Sequence, residues 1–279
     1  MTNILSEIID RKRELVARLR ADRASQDFRE RALAIRRDGT PHRFVQTLES
    51  EPQRLNIIAE FKRRSPSAGI IPSDLSATEV ARCYERGGAC AISVLTDEEY
   101  FGGSIVDLSA VRVSTSLPIL RKDFIIDPIQ LYEAAIAGAD AVLLIVAAMD
   151  DRLLRELHEL AEDQLGLDAL VEVHTLDELH RALNAGAKMI GVNNRNLQTF
   201  QVSLETSERL ITEAPREKIM ISESGLQNAE SLRRLHALGF HGFLIGETLM
   251  RARDPEKAVR DFITEFEPGD VKSAAAHPS

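Results

Sequence analysis

The chain has 279 residues, 28% of them charged, and a formal net charge of −9. These values fit one large globular domain and argue against a disordered chain, a collagen-like chain and a general nucleic-acid binder, since affinity for phosphate backbones comes mainly from Lys and Arg. The longest apolar run, 141–149, is too short to span a bilayer, which needs about 20 residues. Residues 1–10 lack the pattern of a signal peptide, so we expect a cytoplasmic protein without membrane association.

An amphipathic, strongly charged segment and a second, short helical segment come first along the chain. Residues 4–20 and 41–48 predict helices, and we interpret residues 1–50 as a helical extension packed on the main domain.

Eight short apolar runs rich in Ile, Val and Leu follow. Continuous runs of this length are typical of strands buried on both faces of a parallel sheet. The predicted strands are 55–61, 89–95, 118–120, 141–146, 169–173, 189–192, 219–221 and 242–245.

Segments with helical periodicity lie between these runs, and several end at a glycine. The predicted helices are 77–86, 128–137, 150–164, 175–184, 207–213 and 229–238. Alternating strands and helices predict an α/β protein, a (βα)8 TIM barrel, over residues 51–266. An open doubly wound sheet is the alternative, but no G-x-G-x-x-G follows the first strand. Residues 267–279 are predicted to form a flexible tail.

Polar residues end six of the predicted strands. In a parallel barrel these ends meet on one open face, and an unpaired buried charge costs about several kcal/mol, so their position predicts a single site. The candidates are Glu60 and Lys62 at the first strand, Lys122 at the third, Glu172 in the fifth, Asn193 and Arg195 at the sixth, Glu223, Ser224 and Gly225 at the seventh, and Gly246 and Glu247 at the eighth.

The alternation of side chains along a strand refines this prediction. Glu60 and Lys62 face the same side, whereas Arg121 faces away from Lys122. A structural ion pair is the alternative for Glu60 with Lys62 and for Glu172, and a strand-edge lysine is the alternative for Lys122.

The ends of the last two strands predict a phosphate cradle. Ser224-Gly225 and Gly246-Glu247 are loops through which backbone N–H groups can approach an anion closely, although ordinary turn glycines are the alternative. The Glu247 carboxylate must turn away from the anion, leaving its N–H, and Arg195 can add a positive charge.

Other polar residues are interpreted without a chemical role. Arg63 and Arg64 fit a solvated basic loop, and His174 and His180, which lack metal-ligand spacing, fit solvated helix positions. The two cysteines form no zinc spacing, and Cys90 is expected to be a buried thiol. We therefore expect no metal site.

The segment 57–71, IIAEFKRRSPSAGII, closely resembles the signature of the indole-3-glycerol phosphate synthases of the tryptophan pathway. The resemblance continues in family order over roughly residues 48–251. The further segments are AISVLTDEEYFGGS, LPILRKDFIIDPIQLYEA, GADAVLLI, LVEVHT, IGVNNRNL, ISESGL and GFLIGETLM.

This resemblance implies a reaction. 1-(2-Carboxyphenylamino)-1-deoxyribulose 5-phosphate closes to indole-3-glycerol phosphate with loss of CO2 and water, without metal or organic cofactor. The expected partner is this small phosphorylated substrate, with no nucleic acid and no membrane, and many relatives are monomers, so we expect a monomer.

The resemblance also implies catalytic roles. Lys122 matches the general acid, and a lysine can work near neutral pH if desolvation or nearby cations lower its pKa. Lys62 matches the acid for the loss of water and meets the substrate carboxylate. Glu60 matches the base, with Glu172 as the other candidate, and both carboxylates can stabilise a cationic intermediate.

Binding roles follow from the same resemblance. Asn193 and Glu223 match positions that orient the ribulose hydroxyls and the catalytic lysine. Phe101 and Phe124 match an apolar wall for the anthranilate ring, and Ser65 matches a contact to its carboxylate. The phosphate contacts carry over to the cradle described above.

Two other hypotheses stay open. One is a different phosphate-sugar barrel enzyme, either a phosphoribosylanthranilate isomerase, which often uses Cys and Asp at strands one and five, or a Schiff-base aldolase using Lys122. The other is a barrel that binds a phosphorylated ligand or a protein partner without catalysis, which the intact set of acidic and basic residues argues against.

Overall fold

Eight parallel strands close into a barrel in the computed structural model of the chain, which describes residues 4–50, 54–67 and 69–266. Each strand pairs with the next along the chain, and the first pairs with the last, with Ile57 opposite Phe243. The strands are β1 (Ile57–Phe61), β2 (Ala91–Leu95), β3 (Ile119–Lys122), β4 (Ala141–Ile145), β5 (Asp168–Val173), β6 (Met189–Asn193), β7 (Ile219–Glu223) and β8 (Gly242–Ile245). The predicted (βα)8 barrel is confirmed, and the predicted tail lies outside the described residues.

Three helices precede the barrel: α1 (Ile4–Ala21), α2 (Phe28–Arg37) and α3 (Arg43–Ser50). The prediction of helices at 4–20 and 41–48 is confirmed, but α2 was not predicted. Its sequence is strongly charged, and Ala32 is its one buried residue. Helix α2 packs on the helix that follows β3.

Further helices connect and follow the strands. Each of the six predicted barrel helices is confirmed within a few residues. Five of the six begin at polar N-caps such as Ser76, which exchanges hydrogen bonds with Glu79 in a capping box, and several end at a left-handed glycine such as Gly239. The helices are α4 (Ala77–Gly87), α5 (Glu98–Phe101), α6 (Ile105–Arg112), α7 (Pro128–Ala137), α8 (Asp151–Glu159), α9 (Leu176–Asn184), α10 (Glu205–Ile211), α11 (Ala229–Leu238), α12 (Glu247–Met250) and α13 (Pro255–Phe266).

The barrel has an inner and an outer core because side chains alternate along each strand. Ile58, Leu120 and Leu170 belong to the inner cluster, whereas their neighbours pack outward against the helices. Phe44 and Leu48 of α3 join the inner cluster and close the end of the barrel where the strands begin. The opposite end, where the strands finish, stays open.

Among the described residues, no helix is both long and apolar enough to cross a bilayer.

Candidate active site

A cavity of about 810 Å³ lies at the carboxyl ends of the strands. Its polar strand residues point to the same side as the inner core, because each lies two residues after an inner core residue: Glu60 after Ile58, Lys122 after Leu120, and Glu172 after Leu170. The structure brings all of the predicted site residues to the wall of this cavity. They are Glu60, Lys62, Ser65, Phe101, Lys122, Phe124, Glu172, Asn193, Arg195, Glu223, Ser224, Gly225, Gly246 and Glu247.

Lys122 lies at the centre of the polar wall. Its Nζ donates to Glu172 Oε2 at 3.0 Å and lies 2.9 Å from Glu223 Oε2. Glu172 also accepts a hydrogen bond on Oε1 from Asn193 Nδ2 at 3.2 Å. One ammonium group thus bridges two buried carboxylates that come from different strands.

The charged groups around Lys122 shift the pKa values of one another. Burial opposes the charged lysine, but Glu172 and Glu223 outweigh it and raise the pKa of Lys122. The condition stated above, that desolvation or nearby cations lower this pKa, is therefore not met, because the nearest charges are carboxylates. Burial, together with the charge of Glu172, raises the pKa of Glu223 to about 7, with Lys122 opposing it. Burial would also raise the pKa of Glu172, but Lys122 and His174 hold it below its ordinary value.

Glu60 and Lys62 form a second ion pair, with Lys62 Nζ 2.7 Å from Glu60 Oε1. The glycine at the end of β8 makes room for it, because a Cβ at Gly246 would lie 2.1 Å from Glu60 Oε1 and 3.0 Å from Lys62 Nζ. Gly191 on β6 does the same for the neighbouring group, since a Cβ there would lie 2.1 Å from Glu223 Oε1. Both glycines permit a close approach of carboxylates.

The apolar side of the cavity contains the two predicted phenylalanines. The rings of Phe101 and Phe124 lie 6.1 Å apart between centroids and meet at a tilt of 39°. The buried Ser65 lines the cavity, and its Oγ lies 3.3 Å from Ser67 Oγ. Ile4, Leu5 and Ile8 of α1 add to this side, a contribution that only the amphipathic pattern of α1 foreshadows.

The loop after β7 has a left-handed backbone. Ser224 and Gly225 both have positive φ, at 67° and 78°. The Glu247 carboxylate accepts a hydrogen bond at 3.0 Å from Nε of Arg251, the residue that caps the end of helix α12. Arg251 also lines the cavity and was not predicted.

Arg195 is held at the cavity wall by two contacts. Its backbone N–H donates to Asn193 Oδ1 at 2.9 Å, and its guanidinium donates to the Phe200 carbonyl at 3.3 Å. A bridge between Arg195 and Val202 further fixes this loop.

Arg63 is exposed, as predicted for a solvated basic loop, and Arg64 is half-buried, but both arginines bind neighbouring segments of the chain. Arg63 makes a bidentate ion pair with Asp107, at 2.5 and 2.7 Å, and packs over the Phe61 ring. Arg64 donates to the Glu98 carbonyl at 2.9 Å. Both arginines therefore tie the loop after β1 to the segment after β2, which sequence spacing alone does not reveal.

His174 is also misplaced by the sequence-based prediction, whereas His180 is exposed on α9 as expected. The His174 side chain is only 12% exposed, and its ring lies between Glu172 and Glu178. The alternation of β5 continues past its last residue, so His174 lies on the same side as Glu172.

Lys12 anchors the N-terminal extension beside the site. Its Nζ lies 2.9 Å from Asp97 and 2.8 Å from Asp123, and all three side chains are buried. Arg121, which faces outward as predicted, adds an ion pair to Asp123 at 3.1 Å. This buried network connects α1 to the residue that follows Lys122.

One group of described residues has ligand atoms close enough to share a metal ion: His42, Glu162 and Asp168. It lies at the opposite end of the barrel, where β5 begins. Its oxygens already accept hydrogen bonds, with Asp168 Oδ2 bound to the N–H groups of Phe44 and Val45. The cluster therefore serves to fix α3 across the closed end.

The barrel fold and the charged cavity at its mouth, the open end where the strands finish, together define a (βα)8-barrel enzyme. The family model described as indole-3-glycerol phosphate synthase matches residues 5–262. A protein of that name from Desulfotalea psychrophila is 49% identical over 253 residues, covering 90% of this chain and 95% of that protein. Another, from Desulfosudis oleivorans, is 44% identical over 268 residues, covering 95% of this chain and 100% of that protein. The chain belongs to the indole-3-glycerol phosphate synthase family, whose members are decarboxylating lyases of tryptophan biosynthesis.

Solved structures share the fold at low identity. Thiamine phosphate pyrophosphorylase from Pyrococcus furiosus superposes with a TM-score of 0.58 at 18% identity, covering 79% of this chain and 100% of that chain. KGPDC from Streptococcus mutans gives 0.57 at 18% identity, covering 77% and 98%. At this identity the likeness concerns the barrel alone.

Proposed function

We propose that the mouth of this barrel closes 1-(2-carboxyphenylamino)-1-deoxyribulose 5-phosphate to indole-3-glycerol phosphate, with Lys122 as the general acid. The observation that carries the proposal is the bridge from Lys122 Nζ to Glu172 and Glu223 at 3.0 and 2.9 Å, in one cavity with the Glu60–Lys62 pair. Two cations and three carboxylates are thereby held where an acid and a base can act in turn on one substrate.

The first step needs a proton donor. The aryl carbon that bears the carboxylate attacks the C2 ketone, and Lys122 gives its proton to the carbonyl oxygen as the new C–C bond forms. A raised pKa suits this task, because it keeps the lysine protonated until an alkoxide, a far stronger base, develops. The ring nitrogen then carries positive charge, which Glu60 and Glu172 stabilise across the cavity.

The later steps remove CO2, water and a proton. The C–C bond to the carboxylate breaks, CO2 leaves, and its electron pair returns to the ring. Lys62 protonates the departing hydroxyl, which leaves as water. A carboxylate takes the final proton as the indole becomes aromatic; Glu60 is the first candidate for this base and Glu172 the second.

Substrate binding divides between the two sides of the cavity. Phe101 and Phe124 form the wall for the anthranilate ring, and Lys62 with Ser65 meets its carboxylate. The phosphate binds to backbone N–H groups at Ser224, Gly225, Gly246 and Glu247, and Arg195 supplies a positive charge. The left-handed backbone at Ser224 and Gly225 supports this placement.

The test is turnover of this substrate by the purified protein, followed by indole fluorescence, which is favourable because the chain has no Trp. We expect Lys122→Met to lower kcat by about 10²–10⁴-fold, the usual contribution of general acid catalysis. Lys188→Met is the matched control, since that lysine is 59% exposed and pairs with Glu162 at the closed end. Near-normal turnover by Lys122→Met would refute the assignment, and trapping by borohydride would favour a Schiff-base aldolase instead.

We further propose that the protein works as a monomer in the cytoplasm, with residues 1–50 and 51–266 acting as one catalytic unit. Helix α1 contributes to the cavity wall and α3 closes the other end of the barrel, which supports this unity. Light scattering on a sizing column should give the mass of one chain, and the mass of two would contradict the monomer.

A further inference from the structure

We propose that His174 is a positioning residue, an imidazolium held between Glu178 and Glu172 that orients the Glu172 carboxylate and keeps it ionised. The inference rests on the proposed function for the part that Glu172 plays in the reaction. The state of the imidazole itself is independent of that function.

Helix α9 fixes one side of the ring. The backbone N–H of His174 donates to Glu178 Oε2 at 2.7 Å, and ring atom Nδ1 lies 3.1 Å from the same oxygen. Glu178 is itself held in the first turn of the helix, where its N–H donates to Thr175 Oγ1 at 3.2 Å. The ring is therefore anchored by a carboxylate that takes no part in the cavity wall.

The other side of the ring faces the site. Nε2 is buried and lies 3.4 Å from Glu172 Oε1, an ion-pair distance, with no hydrogen-bond partner of its own. A neutral imidazole has one N–H, so a ring that donates to Glu178 would aim the Nε2 lone pair at a carboxylate. An imidazolium carries a proton on both nitrogens and places positive charge between the two carboxylates, which favour this state.

The charged groups around the ring also favour the imidazolium. Glu172 faces it from β5, Glu178 from α9 and Glu223 from β7, while Lys122 of β3 binds the other oxygen of Glu172. Burial opposes the charged ring, but the hydrogen bond to Glu178 and the charge of Glu172 outweigh it and raise the pKa of His174.

The position of Glu172 follows from these contacts. Its Oε2 is bound by Lys122, whereas Oε1 receives Asn193 and faces His174. Without the imidazolium, one side of the carboxylate loses its cation, and the acid gains a proton more readily. Since an opposite charge at this distance shifts a carboxyl pKa by about 1–3 units, its loss should be visible in the pH profile.

The experiment compares His174→Gln with His180→Gln, the exposed histidine of α9. For His174→Gln we expect kcat to fall about tenfold, KM to stay within about twofold, and the acid limb of the kcat profile to move up by about one pH unit. His180→Gln should behave as the wild type. A fall in kcat with an unmoved acid limb would show a merely structural role and overturn the proposal.

Nitrogen-15 NMR of the histidine rings tests the imidazolium without substrate. We expect one ring, absent from the spectrum of His174→Gln, to carry protons on both nitrogens at pH 7, and Glu178→Gln to lower its pKa. A neutral ring at pH 7 overturns the proposal. If the wild type turns over no substrate, the proposed function fails, while the NMR result still decides the state of His174.

Discussion

Replacing Gly191 with alanine separates the geometry of the site from the stability of the fold. The glycine lies on β6, and an added Cβ would come within 2.1 Å of Glu223 Oε1, whereas ordinary contact begins at about 3.4 Å. The carboxylate would have to retreat by about 1.3 Å. Because its oxygen is the far end of a flexible side chain, the carboxylate moves more readily than the strands.

Because the same carboxylate contacts Lys122 through its other oxygen, Oε2, at 2.9 Å, we expect the displacement to break this contact. A misplacement of about 1 Å in a catalytic group costs about 10²-fold in rate, so we expect kcat of Gly191→Ala to fall about a hundredfold. The free energy of unfolding should change much less than on loss of a whole charged group, since no backbone must move, the φ of Gly191 is not positive, and Lys122 keeps its contact with Glu172. Indole fluorescence reports turnover, and urea unfolding reports stability.

Gly239→Ala is the matched control, because it should do the reverse. Nothing lies within 4 Å of a Cβ at Gly239, but its φ of 112° strains any L side chain, at a cost of about 1–2 kcal/mol. We expect this variant to lose stability and keep its kcat. If Gly191→Ala turned over substrate like the wild type, the contact between Glu223 and Lys122 would not matter for catalysis, and the reasoning from close approach would be refuted.

Three further outcomes are expected. Arg195→Ala should raise KM about tenfold or more with a smaller effect on kcat, because phosphate binding is shared by ground and transition states; an unchanged KM would remove Arg195 from the cradle. Lys12→Met should cost about 3–5 kcal/mol in urea unfolding, since it removes the cation of the buried Asp97 and one of the two cations, Lys12 and Arg121, that contact the buried Asp123; a loss below about 1 kcal/mol would contradict this. Acid should also destabilise the protein through Asp123: burial opposes its charge, but Lys12 and Arg121 outweigh burial and depress the folded pKa, so this stability is present above the unfolded pKa of about 3.9 and is lost as pH falls below it. Thermal unfolding between pH 6 and pH 3 measures the effect, which should be smaller in Lys12→Met.

The barrel and the composition of its mouth were predictable because both follow from local patterns. Apolar runs buried on two faces gave the strands, and alternation placed Glu60 with Lys62 and turned Arg121 away from Lys122. The ends of strands were less predictable. The third strand continues through Lys122, past the predicted end at Leu120, because neighbouring strands supply partners for its polar residues.

The charge partners could not be predicted in the same way, because they join elements that are distant in the sequence. Arg63 and Arg64 look like a basic loop until the segment after β2 folds against them. Lys12 looks like one of many charges on an exposed helix until two aspartates meet it. The position of His174 could have been predicted, because the alternation of β5, continued two residues past Glu172, already places it on the inner side.

Two inner-facing glycines, Gly191 and Gly246, make room for carboxylates of the site. Gly191 lies opposite Glu172 in the register of β5 and β6, and the space that it leaves on the inner side is filled by a carboxylate from β7. Gly246 leaves the corresponding space for Glu60 of the neighbouring strand β1. A larger residue at either position would be compatible with the backbone of the strand, but it would displace a carboxylate from its lysine. In a closed barrel, therefore, an inner-facing glycine near the end of a strand indicates that a charged side chain from an adjacent strand fills the space beside it. Here Gly191 makes room for Glu223, which contacts Lys122, and Gly246 makes room for Glu60, which contacts Lys62.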